Sequence, residues 1–274
     1  MRQQIENKGR QIVKIYIFDI DGNLLSIPTV FYMEEIATGR VRKFISTESY
    51  EIVNNMEKLG LRFNKSHSRT MRNFKGKLGD KMLLKDIKNA KYGPSWGDFV
   101  KCVNEASCFG IITARGNSIE CLKKVFFDLI RNNTNGISFD KLLLNLKNNK
   151  IFNKLLESNA KDIKSDDEFL KFYIDKCCSF YGRNSKDTKN TLIGLNKNTS
   201  IPDFKVLALK DFENKIERTI KDYNIDIINE IIELGFSDDE ELNCEIIKKY
   251  CESSGDIFKR NVYYTGKGVK DVIF

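Results

Sequence analysis

Two kinds of apolar pattern alternate along the chain. Ile15-Tyr16-Ile17-Phe18 and Cys108-Phe109-Gly110-Ile111-Ile112 are short, almost unbroken apolar runs that stop at polar residues, and they predict buried strands. Glu230-Ile231-Ile232-Glu233-Leu234-Gly235-Phe236 predicts a third strand, ending in Ser237-Asp238-Asp239, and Asn261–Tyr264 a last one. Between them apolar residues recur at helical spacing: Trp96, Phe99, Val100 and Val103, then Ile119 to Asn132. Leu142, Leu143, Leu146, Ile151, Leu155 and Leu156 suit a helix pair, and Phe169, Phe172 and Tyr173 suit another. Ser95 stands where it can cap the helix that starts at Trp96. Pro202-Asp203 opens a helix to about Tyr223, and Thr191–Asn196 reads as a short strand. Strands alternating with helices predict an α/β fold with a mainly parallel sheet, in which ligands collect at the carboxyl ends of the strands.

Between Ser26 and Trp96 the pattern changes. Thr29–Tyr32 and Val41–Ile45 predict a small hairpin turning at Thr38-Gly39, and a helix is expected around Asp80 to Lys91, broken at Tyr92-Gly93-Pro94-Ser95. Residues 1–25, 97–135 and 190–274 are therefore expected to form a core, 26–96 a cap insertion and 136–189 a second, helical insertion. With 274 residues, 41% of them hydrophobic, the chain is long enough for one substantial core and an accessory unit.

Charge sharpens this division. The chain carries a net +8, and the segment 61–91 holds ten basic residues against Asp80 and Asp86, a local net equal to that of the whole molecule. Such a patch suits a phosphate-rich partner, whereas a solvated helix face in a lysine-rich chain is the plainer explanation. Seven cysteines without C-x-x-C spacing read as reduced, buried thiols rather than a zinc site. His67 is the single histidine, which excludes a multi-histidine metal site. No apolar run is long enough to span a bilayer, and Met1–Arg10 is polar, so the expectation is a cytoplasmic protein with no membrane partner.

The chemistry sits where the apolar runs end. Asp19 and Asp21 follow the first strand, with Gly22 permitting a sharp turn; two carboxylates at the mouth of a buried strand need a cation or hydrogen bonds. Magnesium, which prefers hard oxygen ligands, is the natural compensation. Thr113-Ala114-Arg115-Gly116 closes the second strand, where a hydroxyl and helix-start N–H groups can hold a phosphoryl oxygen or Thr113 can simply cap a helix. Asp238 and Asp239 close the third, as ligands or as acidic residues favouring a helix N-terminus.

The set Phe-Asp-Ile-Asp-Gly-Asn-Leu-Leu, Ile-Thr-Ala-Arg-Gly and Gly-Phe-Ser-Asp-Asp resembles the motifs of the haloacid dehalogenase superfamily, and looks like its bacteriophage-encoded members. The resemblance covers the core and not the rest; the gaps between its motifs, 24–112 and 114–204, are longer than one crossover requires, which implies caps or insertions. It implies a Rossmann-like three-layer sandwich with largely helical caps, and a Mg2+-dependent phosphatase working through an aspartyl-phosphate. Asp19 would be the nucleophile and Asp21 the general acid and base, a role that calls for a carboxyl able to hold a proton near neutral pH. Asp21 would also bind metal through its backbone carbonyl. Thr113 and a lysine would hold the phosphoryl group; Lys205 suits the position, with Lys210 and Lys215 as rivals on the same helix. Gly22, Asn23, Ala114 and Arg115 would contact substrate, Arg115 having the alternative of pairing with a carboxylate. Asp19, Asp21, Asp238 and Asp239 would form the metal set, with Asn243 as an auxiliary oxygen donor. Asn23 departs from the commoner threonine or valine. A phosphorylated small molecule or a nucleic-acid end would be the substrate, the latter touching residues 61–91, in a host cytoplasm if the chain is viral. The alternative is an inactive module of the same fold that binds nucleic acid or a protein through its basic cap. The sequence does not indicate an oligomeric state.

Overall fold

The computed structural model describes residues 11–159, 163–224, 230–255, 257–266, 268 and 270–274. In chain order the strands are β1 (Gln11–Phe18), β2 (Leu25–Ser26), β3 (Val30–Glu35), β4 (Val41–Ile45), β5 (Leu61–Phe63), β6 (Lys91–Tyr92), β7 (Cys108–Thr113), β8 (Ser179–Gly182), β9 (Glu230–Asp238), β10 (Phe258–Tyr264) and β11 (Asp271–Val272). The main sheet has the order β11-β10-β9-β1-β7-β8, and every pairing in it is parallel except β10 with β11. The fold is thus mixed α/β around a mostly parallel sheet.

β1 is the pivot. The chain steps from it to β7 and β8 on one side, then returns to β9 and β10 on the other. Parallel pairing puts the carboxyl ends of all five strands on one edge, and the reversal at β1 opens a crevice there. The register fixes the depth: Phe18 stands beside Ile111 of β7 and Ser237 of β9. One further ladder bond, Asp19 N–H to the Ser237 carbonyl at 3.1 Å, carries the pairing one residue past the strand.

Successive side chains of β1 face opposite layers. Phe18 packs edge-on against Phe99 of the helix Trp96–Asn104 (5.7 Å between centroids), and Phe99 in turn meets Trp96, Phe109 and Phe126. Ile17 faces the other way, toward Phe212 of the helix Ile201–Asp222; a Cβ on Gly110 would lie 3.1 Å from Ile17 Cγ1 and 3.7 Å from the Phe212 ring. Helices therefore cover both faces of the sheet, as a three-layer arrangement requires. On the Phe212 side, Arg260 of β10 donates to Glu213 at 2.8 Å, both side chains being buried, and the half-buried Tyr250 donates its hydroxyl to the same carboxylate at 2.5 Å.

Residues 26–96 carry the hairpin β3–β4, extended by β5 into a three-stranded antiparallel sheet, together with the helix Gly76–Asp86. They are a mixed unit rather than a largely helical one. They have a small core of their own, in which Phe31, Met33 and Leu61 are buried against Phe44, Ile52, Met56, Phe63, Met71 and Phe74.

The segment 136–189 differs from its expected role. It supplies β8, the edge strand of the main sheet, whose four residues are all buried. Its helices Phe139–Leu146, Lys150–Asn159 and Asp166–Lys176 share the main core, so it is not a separate insertion. The strand expected at Thr191–Asn196 is instead the end of the helix Lys186–Thr191 and a turn. Ile193 there is 95% exposed and Gly194 has φ +89°, so its apolar letters never meet a sheet.

Truncating the centre of the aromatic cluster tests this core. Phe99→Ala should lower the unfolding free energy by about 3–5 kcal/mol in urea titrations. Leu144→Ala, at a position 61% exposed, should stay within about 0.5 kcal/mol.

Candidate active site

The tip of β1 is built around a buried amide. Asn23 is wholly buried, and its Nδ2 donates to the Asp19 carbonyl (3.1 Å), the Ser237 carbonyl (3.0 Å) and Ser237 Oγ (3.0 Å). Its Oδ1 accepts from Ser95 Oγ at 2.7 Å and from Thr265 Oγ1 at 3.0 Å. One side chain thus ties together the ends of β1, β9 and β10 and the start of the helix Trp96–Asn104. The resemblance puts Asn23 among the substrate contacts; its hydrogen-bonding capacity is taken by protein, and it positions the loop instead. Ser95 likewise spends its hydroxyl on Asn23 and makes no side-chain cap.

The turn that follows needs its glycine. Gly22 has φ +78°, and a Cβ there would lie 2.1 Å from Asp239 Oδ2. The Asp239 carboxylate therefore rests directly on the Asp19–Asn23 turn.

Asp19 is buried at the crevice floor. Lys205, reaching from the helix Ile201–Asp222, donates through Nζ to Asp19 Oδ1 at 2.9 Å and also to Asp238 Oδ2. Ser200 caps that helix through Oγ and Pro202 lies in its first turn, so the sequence sets where it starts and hence where Lys205 points. The rival lysines are engaged elsewhere: Lys210 sits over the Tyr250 ring at 5.0 Å, and Lys215 donates to the Cys178 carbonyl at 2.7 Å and Ser179 Oγ at 3.1 Å.

Asp238 has both carboxylate oxygens engaged. Its Oδ1 accepts from the Glu240 N–H and from Asn243 Nδ2, both at 3.0 Å. Asp239, partly exposed, makes no side-chain hydrogen bond to another described residue. Asn243 is buried, and its Oδ1 lacks a partner among the described residues.

Negative charge outweighs positive here. Burial pushes the Asp19 carboxyl well above the ordinary carboxylate range, Lys205 opposing that rise and Asp238 and Asp239 adding to it. Burial and the neighbouring Asp238 push Asp239 up to about 7. Burial also raises Glu240. For Lys205, burial works against its charge, but Asp19 and Asp238 together more than offset this and raise its pKa. Four acidic groups around one ammonium leave an excess that a divalent cation would relieve, and the donors are hard oxygens of the kind magnesium takes. Among the described residues no three His, Cys, Asp or Glu side chains are already grouped as a metal cage, the Lys205 ammonium lying between Asp19 and Asp238. By the chemistry of their oxygens, Asp19, Asp238 and Asp239 are the residues that could hold such a metal.

Asp21 and Arg115 are found in each other's grip. Arg115 Nε and Nη2 donate to Asp21 Oδ2 and Oδ1 at 2.6 and 2.8 Å, while Nη1 donates to Thr29 Oγ1 at 3.2 Å. The guanidinium also lies 4.8 Å from the centroid of the Phe74 ring. The carboxylate expected to act as general acid, and the guanidinium expected to contact phosphate, are thus paired, and each must leave the other to act. Thr113 is buried at the end of β7, with its Oγ1 accepting from the Arg115 N–H at 3.2 Å; Ala114 is the exposed residue of the loop 113–117.

Ser237, Thr265, Thr29 and Phe74 do not stand out in the sequence. Ser237 and Thr265 carry a usable signal, each being a hydroxyl residue at the carboxyl end of a predicted strand. Thr29 and Phe74 carry none, because their roles depend on how the insertion docks. Comparison with protein-family models, with curated proteins and with solved structures finds no match.

Two measurements probe this geometry. Asn23→Ala, which strands the Ser95 and Thr265 hydroxyls and the Asp19 carbonyl, should cost about 2–4 kcal/mol of stability in urea. The Asp239 carboxyl, raised to about 7 from its ordinary 3.8, favours the folded state fully below pH about 4 and loses that contribution as pH rises through about 7. In metal-free buffer, Asp239→Asn should therefore flatten the fall in melting temperature across that window.

Proposed function

We propose that the chain is a Mg2+-dependent phosphomonoesterase of the haloacid dehalogenase type, built on a Rossmann-like core and working through an aspartyl-phosphate. The observation that carries this reading is Lys205. It reaches from a distant helix to bridge Asp19 at the end of β1 and Asp238 at the end of β9, at the switch point of a parallel sheet.

In this reading an Asp19 oxygen attacks phosphorus, a P–O bond forms, and the ester P–O bond breaks as Asp21 gives a proton to the leaving oxygen. Water then attacks the same phosphorus, Asp21 takes its proton, and the acyl-phosphate P–O bond breaks to release phosphate and restore Asp19. Lys205 opposes the rise in the Asp19 pKa and offsets charge on the phosphoryl group, and Thr113 with the N–H of Ala114 holds its oxygens. Mg2+, held by Asp19, Asp238, Asp239 and the Asp21 carbonyl, would supply further positive charge at the transferring group. Asn23 keeps these parts in register.

One observation favours a second reading. The two-point hold of Arg115 on Asp21, stacked on Phe74, suits a module that binds anions without turnover. Activity separates the two.

Hydrolysis of p-nitrophenyl phosphate should require Mg2+, stop with EDTA, and fall by about 10³-fold or more in Asp19→Asn. Undiminished hydrolysis by Asp19→Asn removes Asp19 as the nucleophile; no metal-dependent turnover across a broad ester panel favours the second reading. Mg2+ should also raise the melting temperature more at pH 8 than at pH 6, because the Asp239 carboxyl at about 7 must give up its proton to bind metal.

A further inference from the structure

The basic segment is not a loose appendage. At one end, Lys75 and Gly116 pair as a short parallel bridge: the Gly116 N–H donates to the Phe74 carbonyl at 2.7 Å, and the Gly76 N–H donates to the Gly116 carbonyl at 3.2 Å. Four residues on, Asp80 accepts from the Ser118 N–H (3.0 Å), Ser118 Oγ (2.8 Å) and Asn117 Nδ2 (3.1 Å). At the other end β6 pairs with β2, Leu25 opposite Tyr92. Residues 75–92 are therefore strapped to both loops of the site, the one carrying Asp19 and Asp21 and the one carrying Thr113 and Arg115.

The helix Gly76–Asp86 buries Gly79 and Leu83 and turns Lys77, Lys81 and Lys85 outward. These lysines lie four residues apart, one row about 12 Å long. Like charges at that spacing repel and weaken a helix. None of them, nor the exposed Lys88 and Lys91 beyond, makes an ion pair among the described residues. Asp80, the acid within the row's length, is committed to Ser118 and Asn117. Beside Lys91, Tyr92 is 47% exposed and its ring leans on Trp96 at 4.6 Å.

Resting on the reading of the crevice as a phosphate-processing site, we infer that its substrate is the phosphorylated end of a single-stranded nucleic acid, with the following phosphates running along Lys77, Lys81 and Lys85 and a base against Tyr92. A row of unpaired cations tied to the site suits a repeating polyanion, and an exposed, braced aromatic suits an unstacked base. A small phosphate ester would use neither feature.

The test compares wild type, the triple variant Lys77→Gln/Lys81→Gln/Lys85→Gln, and Tyr92→Ala. The probes are a 5′- or 3′-phosphorylated oligonucleotide, p-nitrophenyl phosphate, and anionic phosphatidylserine vesicles. Wild type should bind the oligonucleotide with steep salt dependence, and the triple variant should show a log–log slope shallower by about 2, since each phosphate that a lysine neutralises on a single strand adds about 0.7 to it. Tyr92→Ala should weaken binding by about fivefold or more. Both variants should stay folded, as a cooperative melting transition shows, and keep p-nitrophenyl phosphate turnover while losing kcat/KM on the oligonucleotide. An unchanged slope in the triple variant overturns the proposal, as does tighter binding to vesicles than to the oligonucleotide. If the oligonucleotide binds with the expected slope and no ester is hydrolysed, the surface stands and the phosphatase reading falls. If p-nitrophenyl phosphate is hydrolysed and the oligonucleotide is not preferred, the reverse holds.

Discussion

Taking two carboxylates out of water at the floor of a sheet is unfavourable unless charge is returned to them, and here one ammonium serves both. Lys205 bridges Asp19 and Asp238 in a place where all three side chains are buried. Removing one partner of such an arrangement leaves an uncompensated buried charge. The surrounding fold can be understood as the means of keeping that bridge in position. β1 lies between β7 and β9 so that its end faces both neighbours, and the helix bearing Lys205 is fixed by a serine cap, a proline and the Glu213–Arg260 pair farther along it. The remaining imbalance, with Asp239 and Glu240 adding to Asp19 and Asp238, underlies the proposed affinity for cations and the proposed chemistry.

Asn23 is the neutral counterpart of the bridge. It satisfies backbone and hydroxyl groups from three strand ends and a helix start without adding charge where charge is already excessive. A threonine or valine at that place could not make this set of bonds, having no amide to donate twice while a carbonyl oxygen accepts twice. The insertion is coupled to the same loops through Phe74 beneath Arg115, through the Lys75–Gly116 bridge and through Asp80. Its position and the hold of Arg115 on Asp21 are thus parts of one arrangement.

What the sequence reveals tracks how local the signal is. The strands ending at Asp19, Thr113 and Asp238 announce themselves because apolar runs stop abruptly at polar residues, and the helix at Lys205 because serine and proline mark its start. Position along that helix favours Lys205, and the geometry separates it from Lys210 and Lys215, which turn to other faces. Thr191–Asn196 imitates a strand because Leu192 and Ile193 resemble one by composition, whereas β8 is hidden in Ser-Phe-Tyr-Gly, too short for periodicity to register. That Arg115 pairs with a carboxylate is one of two options from sequence, and that the carboxylate is Asp21 is not legible there, since it depends on residues 94 positions apart and on an insertion whose docking no local pattern encodes.

The central claim is that the three strand ends form one pocket for a divalent cation and a phosphoryl group on Asp19. Beryllium fluoride, which mimics a phosphoryl group on a carboxylate, tests it directly by fluorine NMR and by a crystal structure with Mg2+. The account predicts a protein-bound fluoride signal that needs Mg2+ and disappears in Asp19→Asn, with beryllium bonded to Asp19 and a fluorine within hydrogen-bond distance of Lys205. A bound signal that persists in Asp19→Asn, or a structure that places metal and fluoride away from Asp19 and Asp238, would contradict it.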